Sequence, residues 1–584
     1  MNQVFKNPEA RANLPRHGFS MGQSKKVTAS FGQLLPVYYD ILNAGEKIRF
    51  STRWFTRTQP LSTAAMVRVR EHVEYFFVPF EQIYSLFGSF RYGINDVHTS
   101  FADPAQVRDR LPLIRWKDIN AYIIDHVDEI SGGLEWTGQS QDQQTFDNLW
   151  HGAYRLFDLL GYETGTFVGE MTSAMMQTAR FCPYMLCAYQ KIFNDVYRLD
   201  DFTSPVLKGY SLDSGYNVSD WVPDMSQFLS IRYRPMYKDY FTTSHPSPLV
   251  NGVSMLGQSD QSQILAKVNQ WLSDSDFALT GTSPIQSNSA QFELGNIQSA
   301  SGNYQFIDQS GQSFTQAAIT APQIRTLFAI EKLAEITGRA GKHYDAQTLA
   351  HFGFNVPQGI SGEVFKLGGQ SQTLQIGEVV GTATTENSVL GEIAGKAFSV
   401  TKDVEDNEFT APSDGIFMAI YSAVPEVNYL SRFDKLNAKV DRQDFYFPEF
   451  DKLGMQPLFL YEYLGTILNG MAGITGWQYR YLESKCKYNT VTHAFDYNAP
   501  FSDWTVHLSY TDLGQNLSER VLYCNPRVLD SIFLVNYSAF ADWRPTHNEM
   551  SVINNAYATD PLIIDFDFNV SKSSVMSPYG IPNL

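Results

Sequence analysis

Residues 46–56 read EKIRFSTRWFT, and apolar and charged side chains alternate along this stretch. An alternation with a period of two is the signature of a strand that is buried on one face only. The predicted buried face carries Ile48, Phe50, Thr52 and Trp54, and the predicted exposed face carries Lys47, Arg49, Ser51 and Arg53. The stretch therefore predicts a sheet with one face turned towards a core.

Similar strand patterns recur far apart in the sequence. The run RVREHVEYFFV at 68–78 alternates in the same way, with Val73, Tyr75 and Phe77 on one side. Pro79 then opens a helix-like segment, because its missing N–H costs nothing in a first turn. Further strands are predicted at 415–424, 504–510, 528–540 and 562–570.

Two segments carry helical patterns, at 183–197 and at 320–335. The second has Thr320 as N-cap and Gly338 as a stop signal, and apolar residues cover most of its circumference, which predicts a buried helix. Strands and helices come in clusters rather than in strict alternation, which argues against a doubly wound parallel sheet. The predicted fold class is mainly β, with long mixed insertions of helix and loop between the strands.

Composition excludes several classes of protein. The chain has 584 residues, of which 43% are hydrophobic, 18% charged and 14% aromatic, so a disordered, collagenous or coiled-coil chain is excluded. No run of about 18 apolar residues occurs, and the N-terminus lacks the apolar stretch of a signal peptide, so we expect no membrane insertion and a cytoplasmic origin. The four cysteines are too few for a disulfide framework and are expected to be buried as small apolar side chains: Cys182, Cys187, Cys486 and Cys524.

Charge is distributed unevenly along the chain. Residues 1–70 hold 11 Lys and Arg against three acidic residues, a net charge of +8, and because the whole chain is −17 the remaining 514 residues are −25. A basic arm on an acidic body is typical of a segment that faces nucleic acid, and a solvated tail without a partner is the alternative. Residues 1–30 are predicted to form this arm, with four nucleic-acid-facing side chains: Arg11, Arg16, Lys25 and Lys26.

Residues 251–320 differ from the rest of the chain in composition. They contain 12 Ser, 11 Gln and a single basic residue, Lys267. Such a segment buries little apolar surface, so it is either a disordered linker or an exposed decoration held by a few anchors. The spaced aromatic residues favour the decoration, with four predicted anchors: Trp271, Phe277, Phe292 and Tyr304.

No catalytic spacing appears in the sequence: neither nucleotide-binding loops nor a zinc-protease helix, a nucleophile elbow or a calcium loop. His343 and His351 have no carboxylate in ligand spacing, so no metal site is predicted. The run DRQDFYFPEFD at 441–451 combines carboxylates with aromatics, which suits either a glycoside hydrolase or packing and interface groups, and we favour the second. The sequence therefore predicts no catalytic residue, no metal and no cofactor.

The segment RYRPMYKDYFTTSHP at 232–246 joins an arginine-rich stretch to KDYFT and a proline. Other distinctive runs are LPVYYDILNAGEKI at 35–48, YFFVP at 75–79, YQKIFNDVYR at 189–198, HFG at 351–353, DRQDFYFP at 441–448 and MSPYGIPNL at 576–584. In type and order these runs resemble the major capsid proteins of the Microviridae, small icosahedral single-stranded DNA phages, and especially their gokushovirus-like members. The resemblance covers nearly the whole chain, except for 95–180 and 251–320.

This resemblance implies an eight-stranded antiparallel jelly roll over 31–584, with insertions at 79–230, 251–320 and 425–500. It implies that sixty copies close a shell around a circular single-stranded DNA genome, with 251–320 as an outward threefold protrusion that contacts a host surface receptor. A small basic DNA-binding phage protein, and a pilot or scaffolding protein, are implied as further partners. The implied location is the virion, with assembly in the cytoplasm of a bacterial host.

Two other functions stay open on the residues alone. One is a surface protein that holds carbohydrate on aromatic platforms, and the other is a glycoside hydrolase that uses the carboxylates of 441–451.

Overall fold

The computed structural model of the protein describes residues 15–59, 61, 63–92, 111–116, 118–119, 152–162, 180–206, 210–213, 225–246, 321–341, 343–357, 361–380, 393–401, 406–429, 433–451, 454–464, 474–495, 499–506, 522–524 and 560–579. The chain divides into two compact units, one formed by Met1–Pro246 with Val356–Leu584 and the other by Ser247–Asn355. The large sheet belongs to the first unit, and the described elements of the second unit are two helices.

The strands of the described residues are β1 (His17–Ser20), β2 (Gln23–Ala29), β3 (Leu35–Leu42), β4 (Lys47–Thr58), β5 (Val69–Pro79), β6 (Ile114–Arg115), β7 (Arg180–Phe181), β8 (Phe365–Val380), β9 (Ile393–Val400), β10 (Asn407–Thr410), β11 (Gly415–Pro425), β12 (Met455–Phe459), β13 (Ile474–Tyr479) and β14 (Leu562–Ser574).

The helices of the same residues are α1 (Phe80–Ile83), α2 (Phe87–Tyr92), α3 (Gly152–Leu159), α4 (Tyr184–Ile192), α5 (Met225–Phe228), α6 (Ala321–Ala340), α7 (Tyr344–Phe352), α8 (Tyr461–Leu464) and α9 (Leu482–Lys485). A π-helical turn at Phe193–Tyr197 continues α4, and short 3-10 turns lie at Lys435–Ala438, Arg442–Asp444, His493–Phe495 and Ser502–Trp504.

The large sheet is antiparallel and bends within β8. Its strand order is β1-β14-β4-β9-β8-β5-β11-β3, with β2 also paired to β14 and β10 to β4. The residues of β8 up to Leu374 pair with β5, whereas those from Gln375 onward pair with β9. One long strand therefore joins two halves of the sheet.

The inner faces of these two halves meet across an aromatic core. Phe50 on β4 lies 4.8 Å from Phe417 on β11, measured between ring centroids. Tyr38 on β3 lies 5.1 Å from Phe568 on β14. Ring pairs at these separations fill the interior between packed sheets. The prediction of a mainly β fold is confirmed, and the sheet curls into a sandwich-like arrangement.

Four of the predicted strands are confirmed by β4, β5, β11 and β14. On β4 the alternation holds, with Ile48, Phe50 and Trp54 buried, but Ser51 is buried as well although the pattern placed it on the exposed face. Every residue of β11 is buried. This follows from its position in the sheet. The core covers one face of β11, and α4 packs against the strand as well.

Both predicted helices are confirmed, with corrections for the second. The segment 183–197 forms α4 and its π-helical turn. The other helix, α6, continues past Gly338 to Ala340, so the predicted stop is wrong. Its predicted burial is also wrong for Ile330 and Leu333, which are 46% and 56% exposed. In the described part of its unit α6 packs against α7, and one neighbouring helix covers a single face.

The strand predicted at 504–510 begins wrongly, because Trp504 ends a 3-10 turn. Residues 507–510, and the whole strand predicted at 528–540, lie outside the described residues. All four cysteines are free, and Cys187 and Cys524 are buried as expected, whereas the other two are partly exposed. In the part of the chain that the structure describes, no helix is long and apolar enough to cross a membrane.

Candidate assembly surface

The segment 232–246 is fixed in place by its two arginines. The guanidinium of Arg232 lies 4.8 Å from the centroid of the Phe193 ring, a distance at which a cation is attracted to an aromatic face. The backbone N–H of Arg232 donates to the hydroxyl of Tyr189 at 2.8 Å. The two distinctive runs 189–198 and 232–246 are therefore in direct contact.

Arg234 forms an ion pair with Glu74, which is buried on the outer face of β5. Arg234 Nη1 lies 2.7 Å from Glu74 Oε2, and Lys366 Nζ lies 2.7 Å from Oε1. The hydroxyl of Tyr197 donates to Glu74 Oε2 at 2.5 Å. Burial alone would raise the pKa of Glu74, but Arg234, Lys366 and Tyr197 together lower this pKa to about 2. An ionised carboxylate thus joins the arginine-rich segment to the sheet.

The KDYFT turn is held by its own aspartate and by residues far along the chain. Asp239 Oδ1 accepts the backbone N–H of Phe241 at 3.0 Å, and Oδ2 accepts the hydroxyl of Tyr429 at 2.7 Å. The hydroxyl of Tyr240 donates to the buried carboxylate of Glu462 at 2.8 Å. The turn therefore connects the region around β5 to the segment that follows β11.

Residues 435–451 form a surface segment of the first unit, which we name the aromatic loop. Lys435 Nζ pairs with Glu462 Oε1 at 3.0 Å, and Lys439 Nζ pairs with Glu483 Oε1 at 3.0 Å. Both carboxylates are almost fully buried. Breaking a buried ion pair costs several kcal/mol. These two contacts therefore fix the loop to the segments that carry Glu462 and Glu483.

The backbone of the aromatic loop is also hydrogen-bonded at its centre. The hydroxyl of Tyr481 lies 3.0 Å from the carbonyl oxygens of both Gln443 and Phe445 and shares its one proton between them. Asp444 Oδ2 accepts the backbone N–H of Asp441 at 2.8 Å, which closes a capped 3-10 turn. The loop is therefore rigid although it lies at the surface.

The apolar side chains of this rigid loop project into solvent. The exposed fractions are 85% for Val440, 54% for Phe445, 57% for Tyr446 and 40% for Phe447. Exposed aromatic clusters on a fixed backbone are typical of protein–protein contacts, because little conformational entropy is lost when they are covered. The aromatic loop has the properties of an assembly surface.

The carboxylates of the same run have structural roles. Asp444 caps a turn, and Asp451 pairs with Lys485 at 3.0 Å. These roles favour the interpretation of 441–451 as packing and interface groups. In the described residues no three His, Cys, Asp or Glu side chains come together as metal ligands.

The predicted arm residues that can be located are tied to the first unit. Arg11 lies outside the described residues. Arg16 Nη1 donates to the carbonyl oxygen of Gly45 at 2.6 Å. Lys25 Nζ donates to the carbonyl oxygen of Leu159 at 2.7 Å, and burial lowers the pKa of Lys25 to about 8 despite the nearby carboxylate of Asp158.

Lys26 is exposed to solvent. Its Nζ lies 3.1 Å from Asp565 Oδ2, and its side chain is 74% exposed. Lys25 and Lys26 both belong to β2, which pairs with β14 at the edge of the sheet. The structure therefore brings these two lysines to one strand but gives them different environments.

The four predicted anchors, Trp271, Phe277, Phe292 and Tyr304, lie outside the described residues, as does all of 251–320. The protrusion stays a prediction.

One network was missed at the level of sequence: the buried carboxylate of Glu71, on the inner face of β5. Glu71 Oε1 accepts the hydroxyls of Thr56 at 2.5 Å and Tyr421 at 2.6 Å. Glu71 Oε2 accepts Gln372 Nε2 at 2.7 Å and the hydroxyl of Ser399. The sequence did contain a signal for this position. Glu71 lies two residues before Val73 and four before Tyr75, so the alternation of the strand places it on the same buried face as those apolar residues.

A family model described as capsid protein (F protein) matches residues 9–109 and 161–553 of this chain. The chain belongs to this family. The matched ranges include the segment 232–246 and the aromatic loop. The unmatched stretch between them lies inside 95–180, which also has no counterpart in the distinctive runs.

Two phage proteins are similar to the chain over almost its whole length. Capsid protein VP1 of Chlamydia phage 1 is 22% identical over 625 residues, which cover 98% of this chain and 96% of that protein. Capsid protein VP1 of Bdellovibrio phage phiMH2K is 22% identical over 599 residues, which cover 99% and 98%. The resemblance to Microviridae capsid proteins is confirmed, and with it the prediction of a structural protein rather than an enzyme.

Proposed function

We propose that this capsid protein forms a small icosahedral shell of sixty copies around a circular single-stranded DNA phage genome. Membership of the capsid family carries the proposal, and two relatives that are named capsid proteins and match end to end support it. The sandwich-like curl of the sheet supports an eight-stranded jelly roll as its core.

Closed symmetry repeats each contact around the particle, so one chain must offer complementary surfaces. The aromatic loop supports this role, because Phe445 and Tyr446 stand exposed on a backbone that buried ion pairs hold in place. Aromatic side chains of this kind carry a large share of interface energy. In this proposal the loop contacts a second copy of the chain.

The proposal places residues 1–30 on the inner side of the shell, near the genome. Lys26 is the described arm residue best suited to meet phosphate, since it is exposed and its ion pair with Asp565 is open to solvent. Because the chain beyond residue 70 has a net charge of −25, a small basic phage protein and cations supply most of the neutralisation of the DNA.

The proposal also includes the polar segment 251–320 as an outward protrusion that contacts a host receptor. Its support is composition, since a Ser- and Gln-rich stretch fits a solvated surface loop. A pilot or scaffolding protein acts during assembly in the bacterial cytoplasm, and the mature location is the virion.

Particle mass and electron microscopy test the shell. Sixty copies of a 66.1 kDa chain give about 4 MDa of this protein, so mass photometry of particles from cells that express the phage genes should find at least this mass in uniform closed shells. A chain that stays monomeric under those conditions contradicts the proposal.

A double variant, Val440→Ser with Phe445→Ser, tests the aromatic loop. We expect a soluble subunit with the parent's melting temperature and no particles, because only exposed contacts are removed. Met66→Ser is the matched control, since Met66 is 66% exposed and lies outside the loop. Particles at the parent's yield from the double variant would exclude the loop as a subunit contact.

A further inference from the structure

A second exposed surface lies on the outer side of β2, β14, β4 and β9, and we name it the outer sheet face. Along β14 buried and exposed residues alternate from Leu562 to Lys572, and β4 is paired to it in register from Thr58 to Lys47. On the other side of β4, Phe55 is opposite Val400 and Arg57 is opposite Phe398. These side chains therefore share one face of the sheet.

The outer sheet face carries more basic than acidic side chains, although the chain as a whole is −17. Its basic members are Lys26, Lys47, Arg49, Arg53, Arg57 and Lys396, and its acidic members are Glu408, Asp565 and Asp567.

Two of the acidic groups are already paired. Lys26 binds Asp565, and Lys47 and Arg49 both bind Glu408. In contrast, Arg53, Arg57 and Lys396 have no ion pair within the described residues, and only Asp567 lies across the strand from Arg53. Positive charge is therefore unpaired at the end of the face where β4 meets β9.

Aromatic rings lie among these unpaired cations. Phe398 is 62% exposed, next to Arg57 in the β4–β9 register. The Arg57 guanidinium lies 4.8 Å from the centroid of the partly exposed Phe55 ring. Residues two apart on a strand are separated by about 7 Å, so Arg53, Phe55 and Arg57 form a row of cation, ring and cation.

We infer that the outer sheet face binds single-stranded nucleic acid. Arg53, Arg57 and Lys396 contact the phosphates, and unpaired bases stack on Phe398 and Phe55, which is how sequence-tolerant single-strand sites combine charge with aromatic platforms. The inference rests on the proposed function, and it adds the folded sheet to the arm of residues 1–30 as a second contact for the nucleic acid. The excess of positive charge favours a nucleic acid over a second copy of this chain as the ligand. A nucleic acid carries one negative charge per nucleotide, which is a much higher density of negative charge than the surface of this acidic protein offers.

Binding of a labelled 20-nucleotide oligo(dT) to the soluble full-length chain, followed by fluorescence anisotropy, tests the site without requiring assembly. For Arg53→Gln with Arg57→Gln we expect about tenfold weaker binding at low salt. The slope of log K against log salt should become shallower by about 1.4, because each phosphate contact in a single strand contributes about 0.7. Phe398→Ala should weaken binding about tenfold with an unchanged slope, since stacking releases no counterions.

Matched controls separate the site from general charge and general hydrophobicity. Arg68→Gln with Lys487→Gln removes the same charge at exposed positions outside the face, and Phe352→Ala removes a ring that is 82% exposed. Both should stay within twofold of the parent.

Several results would overturn the inference. These are a parent chain that does not bind oligo(dT), a charge control that loses as much affinity as the Arg53 and Arg57 double variant, and equal affinity for duplex DNA. Loss of particles in the face variants, with unchanged oligo(dT) binding, would instead assign the face to a subunit contact and leave the capsid function intact. A parent chain that binds oligo(dT) but never assembles would contradict the proposed shell and not this site.

Discussion

Two glutamates three residues apart on β5 are both buried, yet their surroundings differ completely. Glu71 faces the core and accepts hydrogen bonds from four neutral side chains of four other strands. Glu74 faces outward and meets two cations, Arg234 and Lys366, together with Tyr197. The inner carboxylate joins the two halves of the sheet, and the outer one attaches the arginine-rich segment to it.

The difference shows how one strand can serve two layers. Within the described residues no cation forms an ion pair with Glu71 inside the sandwich, and its hydrogen bonds come from hydroxyl and amide donors. Outside, the segment 232–246 supplies Arg234, and the ion pair is strong because it is largely shielded from water. Removing either carboxylate should therefore destabilise the fold in a different way.

The largest effect is expected for Glu71→Ala. Truncation leaves four buried donors without an acceptor and creates a cavity, so we expect a loss of about 4 kcal/mol in the free energy of unfolding. Chemical denaturation of the soluble chain, followed by tryptophan fluorescence, measures it. Glu378→Ala is the control, because Glu378 is exposed on β8 of the same sheet. A loss below 1 kcal/mol would show that Glu71 does not join the sheet halves.

Glu74→Gln should have the next largest effect, about 3 kcal/mol at neutral pH, which corresponds to the lowering of the pKa of Glu74 from 4.5 to about 2. The unfolded chain takes up the proton first on acidification. The contribution of Glu74 is therefore complete above about pH 4.5 and is lost as the pH falls towards 2.

Denaturation of parent and Glu74→Gln at several pH values checks the sign. The difference in stability between the two should shrink steadily from pH 4.5 to pH 2. Glu408→Gln is the control, because Glu408 pairs with Lys47 and Arg49 at an exposed site and should change stability little at any pH. A difference that stays constant with pH would mean that Glu74 is not held ionised by its partners.

A smaller effect is expected for His72→Gln. Burial and the nearby charges of Arg234, Arg70 and Lys366 lower the pKa of His72 to about 4, although Glu74 opposes this. His72 Nε2 lies 2.6 Å from the Tyr237 hydroxyl, so its loss at neutral pH should cost about 1 kcal/mol.

The pH window of His72 separates it from Glu74. Between pH 6.5 and about 4 the unfolded chain binds the proton and the folded chain does not, so His72 makes the parent lose stability as the pH falls. In His72→Gln the profile should be flatter in this window, and the Glu74 window below it should be unchanged. An identical slope in parent and variant between pH 6.5 and 4 would contradict this assignment.

The smallest effect is expected for Lys26→Ala. Its Nζ lies 3.1 Å from Asp565 Oδ2, against 2.7 Å for Arg234 and Glu74, and its two side chains are 74% and 48% exposed. We expect a loss of about 0.5 kcal/mol at low ionic strength and none in 1 M salt, since exposed pairs are screened. A loss comparable to that of Glu74→Gln would show that burial is not what separates these ion pairs.

The strands were predictable because alternation is a local property. The alternation in residues 46–56 and in residues 562–570 predicts a strand with one buried face in each case. The structure forms β4 and β14 at these positions, and the two strands are adjacent in the sheet. The exposed helix α6 shows the limit of the same reasoning, since apolar side chains around a helix predict burial without saying which neighbour provides it.

The sequence identified the surface residues of the aromatic loop, but it could not assign them a role. The run DRQDFYFPEFD stood out by composition, whereas its rigidity depends on Tyr481 and on two buried ion pairs from other segments. Alternation placed Arg53 on the exposed face of its strand, but it could not show that Lys396 and Phe398 lie beside that strand, because β9 comes more than 300 residues later in the chain.

The sequence by itself determined the class of fold, the order of the main strands and the family, since periodicity and distinctive runs are written in neighbouring residues. Only the tertiary structure decided what those runs contact. Glu71 meets a tyrosine 350 positions away, and Glu74 meets an arginine 160 positions away. The pairing of β11 with β5 brings Tyr421 to Glu71, and the segment 232–246 brings Arg234 to Glu74 on the outer face. A buried carboxylate accepts from the donors that the fold places within hydrogen-bond distance, and neighbouring residues do not specify them.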